Sequence, residues 1–371
     1  MTSDSSQTAA KLRVGLAGLG TVASYHIAVL RRMRGVQLVA GCDPNAARRD
    51  YIQNRWKLDK LYATVDELVE KGQLDAVHVL TPPPSHVPVA LKCLARSCHC
   101  LIEKPLAINV EEADLLARAA RENKRTAGVN HNKIWNPAFR RLIHLISEKR
   151  LGEIKHVSVE HAVERAFRKG DWALEHPDFP VLETASHTFS MISDLLGSVH
   201  EARSRICEVT QVGERAMVSS WQSSLACEQG NAFAFISLRG SLPCCTVSVL
   251  GSEGAAQADL LSNTLTRSGR FGQFEPYQRV LRTTTGGMSL LGQSLRSGAA
   301  FAAQRAGFGA FGDPFLESMS GSIEEFYRAV REDRQPRADL AAGREAIRVC
   351  ELVAAELGSE LATEMGVRGD L

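Results

Sequence analysis

Val14-Gly-Leu-Ala-Gly-Leu-Gly-Thr-Val-Ala23 closes an apolar run that begins at Leu12 and opens an amphipathic segment that reaches Met33. A strand, a glycine turn and a helix form the context in which Gly18-Leu19-Gly20-Thr21-Val22-Ala23, a GxGxxA pattern, reads as a dinucleotide fingerprint. Gly18 permits the tight turn, Gly20 lets backbone approach a pyrophosphate, and Ala23 permits close packing of the helix. The helix start at Thr21 and Val22 presents free N–H groups and the positive end of its dipole to phosphate.

Outward from this turn, short apolar runs alternate with amphipathic segments. Val36-Cys42 is a strand, followed by a helix to Arg55, a short helix at Val65-Glu70 and a strand at Asp75-Leu80. A helix at Val87-Arg96, a strand at Cys98-Ile102, a helix at Val110-Glu122 and a sixth strand at Thr126-Val129 complete the series. This is βαβ rhythm, and it predicts a parallel sheet. Asp43 lies 25 residues beyond Gly18, at the end of the second apolar run. A carboxylate there accepts hydrogen bonds from ribose hydroxyls and repels a 2′-phosphate, which favours NAD over NADP. Arg48 and Arg49 keep NADP open, and Asp43 could also cap the helix from Pro44.

After a helix of about Asn136 to Lys149 the pattern changes at Leu151-Gly152-Glu153, where a long β-like run from Ile154 to Ala166 begins. The expected organisation is a tail (1–11), a Rossmann dinucleotide-binding domain (12–150) and an α+β domain (151–371). The second domain has one helix near Leu182-Leu196, then strands near Glu201-Thr210, Ala216-Ser224, Asn231-Leu238 and Cys244-Leu250, which read as an open, mainly antiparallel sheet. Thr283-Gly312 reads as a helix flanked by flexible glycines, packed on the sheet, at a subunit contact, or serving as a substrate lid. Two closing helices, Phe315-Arg331 and Leu340-Leu357, are separated by Pro336.

Composition narrows the partners. A net charge of +2 from well-mixed acids and bases favours neither nucleic acid nor an anionic membrane, so a small molecule is the expected ligand. Nine cysteines without CxxC spacing, and no apolar leader, fit a cytoplasmic protein without disulfides. Cys98-His99-Cys100 on a strand would put its histidine on the opposite face from its cysteines, so no metal is expected. No stretch is long and apolar enough to span a bilayer.

Thr81-Pro82-Pro83-Pro84-Ser85-His86 follows the fourth strand, and Glu103-Lys104-Pro105 follows the fifth. A charged side chain at the carboxyl end of a strand in an open parallel sheet emerges into the crevice where such folds bind ligands. With the glycine turn, these motifs resemble the glucose-fructose oxidoreductase and inositol dehydrogenase family, Gfo/Idh/MocA, strongly over residues 12–140 and more loosely to about 197. The resemblance implies an NAD(P)-dependent oxidoreductase acting on a secondary alcohol or ketone of a sugar, cyclitol or nucleotide sugar. It also implies association through the open sheet face into a dimer or tetramer. Gly18, Gly20, Thr21, Val22, Asp43, Thr81, Pro82, His86, Glu103 and Lys104 would line the cofactor.

Lys104 would contact the substrate hydroxyl and the nicotinamide, since an ammonium favours a developing alkoxide. Glu103, on the opposite face of the strand, would support the turn, and Pro105 is cis in many members. The family's second signature, an acid four residues before a histidine, reads Glu183-Thr184-Ala185-Ser186-His187. Helical spacing puts Glu183 and His187 on one face. His187 can exchange a hydroxyl proton, with Glu183 orienting the substrate or the imidazole. Asn130 and Trp135 are further candidates for the substrate pocket, with Asn132 beside them.

Departures from the family reshape this edge: Glu183 replaces the usual Asp, Ala185 a Gly, Asp178-Phe179-Pro180 a glycine stretch, and Pro83 a common Asn. Two other functions stay open on the sequence. One is an NAD-dependent lyase or glycosidase with no net redox change; the other is a nucleotide-binding regulatory protein.

Overall fold

A computed structural model describes residues 11–164, 176, 179–212, 215–269, 275–307 and 312–364. The chain forms two compact units, one running to Asn130 and regaining Ser322–Ala341, the other comprising His131–Gly321 and the chain from Ala342. The break falls earlier than the change of sequence pattern at Leu151. Hydrogen bonding explains why. Asn136 Nδ2 donates to the Leu260 carbonyl at 3.0 Å, and Arg141 donates to the Asn263 carbonyl at 2.8 Å, tying the helix beyond residue 136 to the second sheet.

The first unit is a six-stranded parallel sheet of β1 (Leu12–Ala17), β2 (Val36–Cys42), β3 (Leu61–Tyr62), β4 (Ala76–Val79), β5 (His99–Ile102) and β6 (Ala127–Val129). Their order is 3-2-1-4-5-6, the Rossmann arrangement. Helices α1 (Thr21–Leu30), α2 (Ala46–Trp56), α3 (Val65–Lys71), α4 (His86–Ala95) and α5 (Val110–Glu122) connect them. Every residue of β4 is buried, as in a strand covered on both faces. Asn45, Thr64 and Asn109 each accept a backbone N–H from the first turn of α2, α3 and α5, which fixes where those helices start. Asp43 is thus not the cap of α2.

The second unit holds α6 (Pro137–Ser147), β7 (Ile154–Glu164), α7 (Ser186–Leu196), β8 (Val199–Val212), β9 (Arg215–Cys227), β10 (Gly230–Ser237), β11 (Arg239–Gly251), β12 (Gly254–Asp259), β13 (Thr264–Gly269) and α8 (Glu275–Arg305). Its seven strands run in the order 13-12-11-7-10-9-8, antiparallel except for the β7–β10 pair. Residues 165–166 of the expected first strand lie outside the described residues, as does Asp178.

Strands β12 and β13 go beyond the sequence expectation. GAAQAD has no β-branched or aromatic residue and TLTRSG only two threonines, and pairing of β12 with β11 and of β13 with β12 imposes the extended form. Gly286, Gly287, Gly292 and Gly298 do not flank a helix but lie inside α8, which is continuous over 31 residues, and Gly307 follows its end. Helices α9 (Pro314–Arg331) and α10 (Leu340–Glu364) match the expected closing pair. Glu345 and Glu360 of α10 accept the backbone N–H groups of Val199 and Ile206, covering the β8 edge of the sheet.

Candidate functional site

Parallel register places the carboxyl ends of the first sheet in one row: Ala17 pairs with Cys42 and Val79, Val79 with Ile102, and Ile102 with Val129. Hydrogen bonding continues one step past each strand. Gly18 N donates to Cys42 O (2.9 Å), Leu80 N to Ala17 O (2.7 Å), Glu103 N to Val79 O (2.9 Å) and Asn130 N to Ile102 O (2.7 Å). The glycine turn, Asp43, Thr81-Pro82, Glu103-Lys104 and Asn130 therefore leave the sheet from rigid, aligned backbone. Strand order reverses between β1 and β4, where open α/β sheets bind ligands.

The residues here fit a dinucleotide. Gly18 has φ +97°, and a Cβ at this position would stand 2.6 Å from Leu80 O, so only glycine makes the turn. At Gly20, which precedes α1, a Cβ would meet nothing within 4 Å, leaving the helix amino end open to phosphate. Thr81 Oγ1 is buried and has no partner among the described residues, a polar atom ready for a ligand. Asp43 is buried; its carboxylate accepts the Leu19 N–H of the glycine turn and the Asn45 N–H, both at 2.9 Å. Oδ1, which accepts only from Asn45, retains a lone pair for a ribose hydroxyl. Arg48 stands 3.4 Å from that carboxylate, and Arg49 is held by the Asp43 and Pro44 carbonyls.

His86 and Glu103, expected from the sequence beside the cofactor, have their polar atoms spent on the protein. The buried His86 ring contacts the Pro105 carbonyl (2.8 Å) and the Thr81 carbonyl (2.7 Å), clamping together the loops after β4 and β5. Burial lowers its pKa against the pull of those carbonyls. The Lys104–Pro105 peptide between these loops is cis.

Glu103 ends a buried chain that no short motif announces. Its Oε1 accepts from Asn130 Nδ2 (2.6 Å) and His26 Nε2 (2.8 Å); His26 Nδ1 meets His78 Nδ1 (2.7 Å), and His78 Nε2 meets the Tyr327 hydroxyl (2.8 Å). Donor balance assigns the protons. Tyr327 donates to His78, His78 Nδ1–H to His26, and His26 Nε2–H to an ionised Glu103. Burial holds His78 well below its ordinary pKa, consistent with a neutral ring at this position. Burial alone would raise Glu103, yet the His26 and Asn130 hydrogen bonds and the Lys104 charge outweigh it and hold the carboxyl low. Asn130, expected at the substrate, serves Glu103 with its side-chain amide.

In the second unit a π-helical turn, Val181–Ala185, runs into α7 and carries Glu183, with His187 in the first turn of α7. The sequence predicts one uniform helix here. Such turns widen the helix locally and occur often at functional sites. The nearly buried His187 ring meets His131 edge-on, with centroids 6.2 Å apart, a neighbour that the sequence reading misses. The next residue, Thr188, is fixed by a second relay: Lys133 Nζ donates to His161 Nε2 (2.6 Å), and His161 Nδ1 lies 3.2 Å from Thr188 Oγ1. Trp135 packs beneath the Arg140 guanidinium, 5.2 Å from the ring centroid. The Cys98 thiol donates to Leu74 O, and burial pushes its pKa up to about 12.

Residues 12–131 match the family described as oxidoreductase family, NAD-binding Rossmann fold. Among curated relatives, 1,5-anhydro-D-fructose reductase of Ensifer adhaerens is 32% identical over 166 residues, which is 45% of this chain and 50% of that protein. UDP-N-acetylglucosamine 3-dehydrogenase of Acidithiobacillus ferrooxidans is 31% identical over 132 residues, 35% of this chain and 40% of that protein. The chain thus spans half or less of the length of these two relatives. Among solved structures, a dehydrogenase from Chromobacterium violaceum aligns with a TM-score of 0.76 at 19% identity, covering 96% of this chain and 98% of that one. The WlbA dehydrogenase from Bordetella pertussis, in complex with NADH and UDP-GlcNAcA, aligns with a TM-score of 0.75 at 17% identity, covering 95% and 97%. These likenesses extend over both units and show the fold.

Proposed function

We propose, from the match of residues 12–131 to the NAD-binding Rossmann oxidoreductase family, that the chain is an NAD-dependent dehydrogenase or reductase. Its substrate would carry a secondary alcohol or ketone on a sugar, cyclitol or nucleotide sugar. The relatives named as anhydrofructose reductase and UDP-N-acetylglucosamine 3-dehydrogenase support this class. The observation that carries the reading is Lys104, just past the end of β5 and one strand out from the strand-order reversal, next in the chain to an ionised Glu103 that is held in place.

Gly18, Gly20, Thr21 and Val22 would hold the pyrophosphate, Asp43 the ribose, and Thr81 with Pro82 the wall of the site. NAD would supply the hydride acceptor, or in reduced form the donor; NADP stays open through Arg48. The Lys104 ammonium would stabilise the substrate oxygen as its charge develops, His187 would carry the hydroxyl proton, and Glu183 would orient the substrate or the imidazole. His86 and Glu103 are positioning residues for the Lys104 loop. Asn130 supports Glu103, and Trp135 would shape the substrate pocket. A cytoplasmic dimer or tetramer is the proposed setting; no described helix is long and apolar enough to cross a membrane.

The test is turnover of the full chain with NAD against a panel of sugars, inositols and nucleotide sugars, read by NADH absorbance. Lys104→Ala should still bind NAD, by fluorescence titration, and lose about 10²–10³-fold in kcat. Full turnover in that variant would sink the assignment.

A further inference from the structure

Helix α8 lies on the second unit with a side of small and polar residues inward. Its half-buried positions include Gly286, Gln293, Ser297 and Gln304. Gln293 anchors that side: its carbonyl accepts from Leu265 N at 2.8 Å and its amide donates to Leu265 O at 2.9 Å, filling the open edge of β13. Beneath it is a cavity of about 610 Å³ lined by Arg141, Arg267 and Arg296. At 3.6 residues per turn, Tyr277, Leu281, Met288, Leu291 and Leu295 fall on the opposite side. They are 75%, 38%, 69%, 63% and 66% exposed. An amphipathic helix of a globular protein turns its apolar stripe to the core; this one turns it to solvent. A contiguous patch of that kind marks an interaction surface.

Spacing and size select the occupant. From Tyr277 the stripe steps through Leu281, Thr284, Met288, Leu291, Leu295 and Gly298 to Ala302 by alternating four and three residues, the a/d order of a coiled-coil seam. Bulk falls along it. Two such helices set antiparallel about a two-fold axis between Ser289 and Leu290 would put Tyr277 against Ala302 and Leu281 against Gly298. Met288 would meet Leu291 at the centre. Parallel pairing would instead crowd tyrosine against tyrosine and leave a gap between glycines.

An anionic membrane would call for cations flanking the stripe along its length, yet Arg282 and Arg296 line cavities on the protein side, which leaves, among the described side chains, Arg305 at the carboxyl end of α8. We propose that α8 docks a second copy of this chain through an antiparallel, two-fold α8–α8 seam about 39 Å long. This interface is independent of the catalytic reading and of any contact through the sheet face.

Sedimentation equilibrium of the full chain tests it. The paired substitutions M288E and L291E replace exposed side chains, so the melting temperature should hold while the assembly mass halves. Register is read by cross-linking in a background with the exposed Cys207 changed to Ser. Protein carrying Y277C, mixed with protein carrying A302C, should form a disulfide-linked pair under mild oxidation, and neither alone should. A mass unchanged by M288E/L291E, or cross-linking of Y277C to itself, would overturn the proposal. So would sedimentation with phosphatidylglycerol vesicles that M288E/L291E abolishes, which would make the occupant a membrane.

Discussion

The row of residues after the parallel strands and the segment around His187 position their side chains by different means. In the first, main-chain hydrogen bonds run one step beyond β1, β4, β5 and β6, so that geometry comes from the sheet itself. In the second, a single π-helical turn carries Glu183, and side-chain contacts from His131 and from the Lys133–His161–Thr188 relay hold the first turn of α7. Backbone-set geometry resists substitution until a glycine is lost. Side-chain-set geometry can be retuned by one methylene, so on the proposed function the second segment is where substrate choice would vary while the strand-end row stays constant.

Gly18→Ala is the strongest way to break that contrast. The added Cβ meets Leu80 O at 2.6 Å with φ at +97°, and neither strand end can retreat without losing ladder bonds. We expect a loss of about 3 kcal/mol, seen as a fall in Tm of roughly 6–12 °C, with loss of NAD binding in a fluorescence titration. Wild-type melting and affinity would mean that the turn is not held by the sheet. Glu183→Asp sharpens the other side. It shortens the acid to the family's usual residue and withdraws the carboxylate by about one bond length, for which we expect about tenfold lower kcat/KM on the best substrate of the panel. Tm and NAD affinity should hold. If Tm fell as far as in Gly18→Ala, the π turn would be as structural as the glycine turn.

The same contrast explains which features are legible in the chain. The six-stranded sheet comes from βαβ rhythm, and its functional row from strand ends, because both are local patterns repeated along the sequence. Glu183 and His187 are legible as a spacing, although the π turn beneath them is not, since Val181–Ala185 has no composition that separates it from an α-helix. Strands β12 and β13 exist through pairing, and α8 runs through four glycines that each cost about 1 kcal/mol of helix propensity, so neither is marked by composition. The relay behind Glu103 joins residues up to 249 positions apart, beyond any periodicity. Its one local sign is a histidine inside the wholly buried strand Ala76–Val79.

That relay yields the smallest effect expected, and a test of whether side chains reinforce the backbone-set row. Folded His78 is neutral, with a pKa well below its ordinary 6.5, so below about pH 6.5 the unfolded chain binds a proton that the folded chain does not. Stability is therefore full above that pH and declines as pH falls towards the folded value. Glu103 adds a second leg in the same direction: its carboxyl is held below the ordinary 4.5, so its contribution is complete above about 4.5 and is lost as pH falls through its folded value. His78→Gln keeps an acceptor for Tyr327 and a donor for His26 but cannot titrate. It should cost about 1 kcal/mol at neutral pH, flatten the fall in Tm between about pH 6.5 and 5, and leave the lower leg in place. An undiminished upper slope in the variant would place that titration elsewhere.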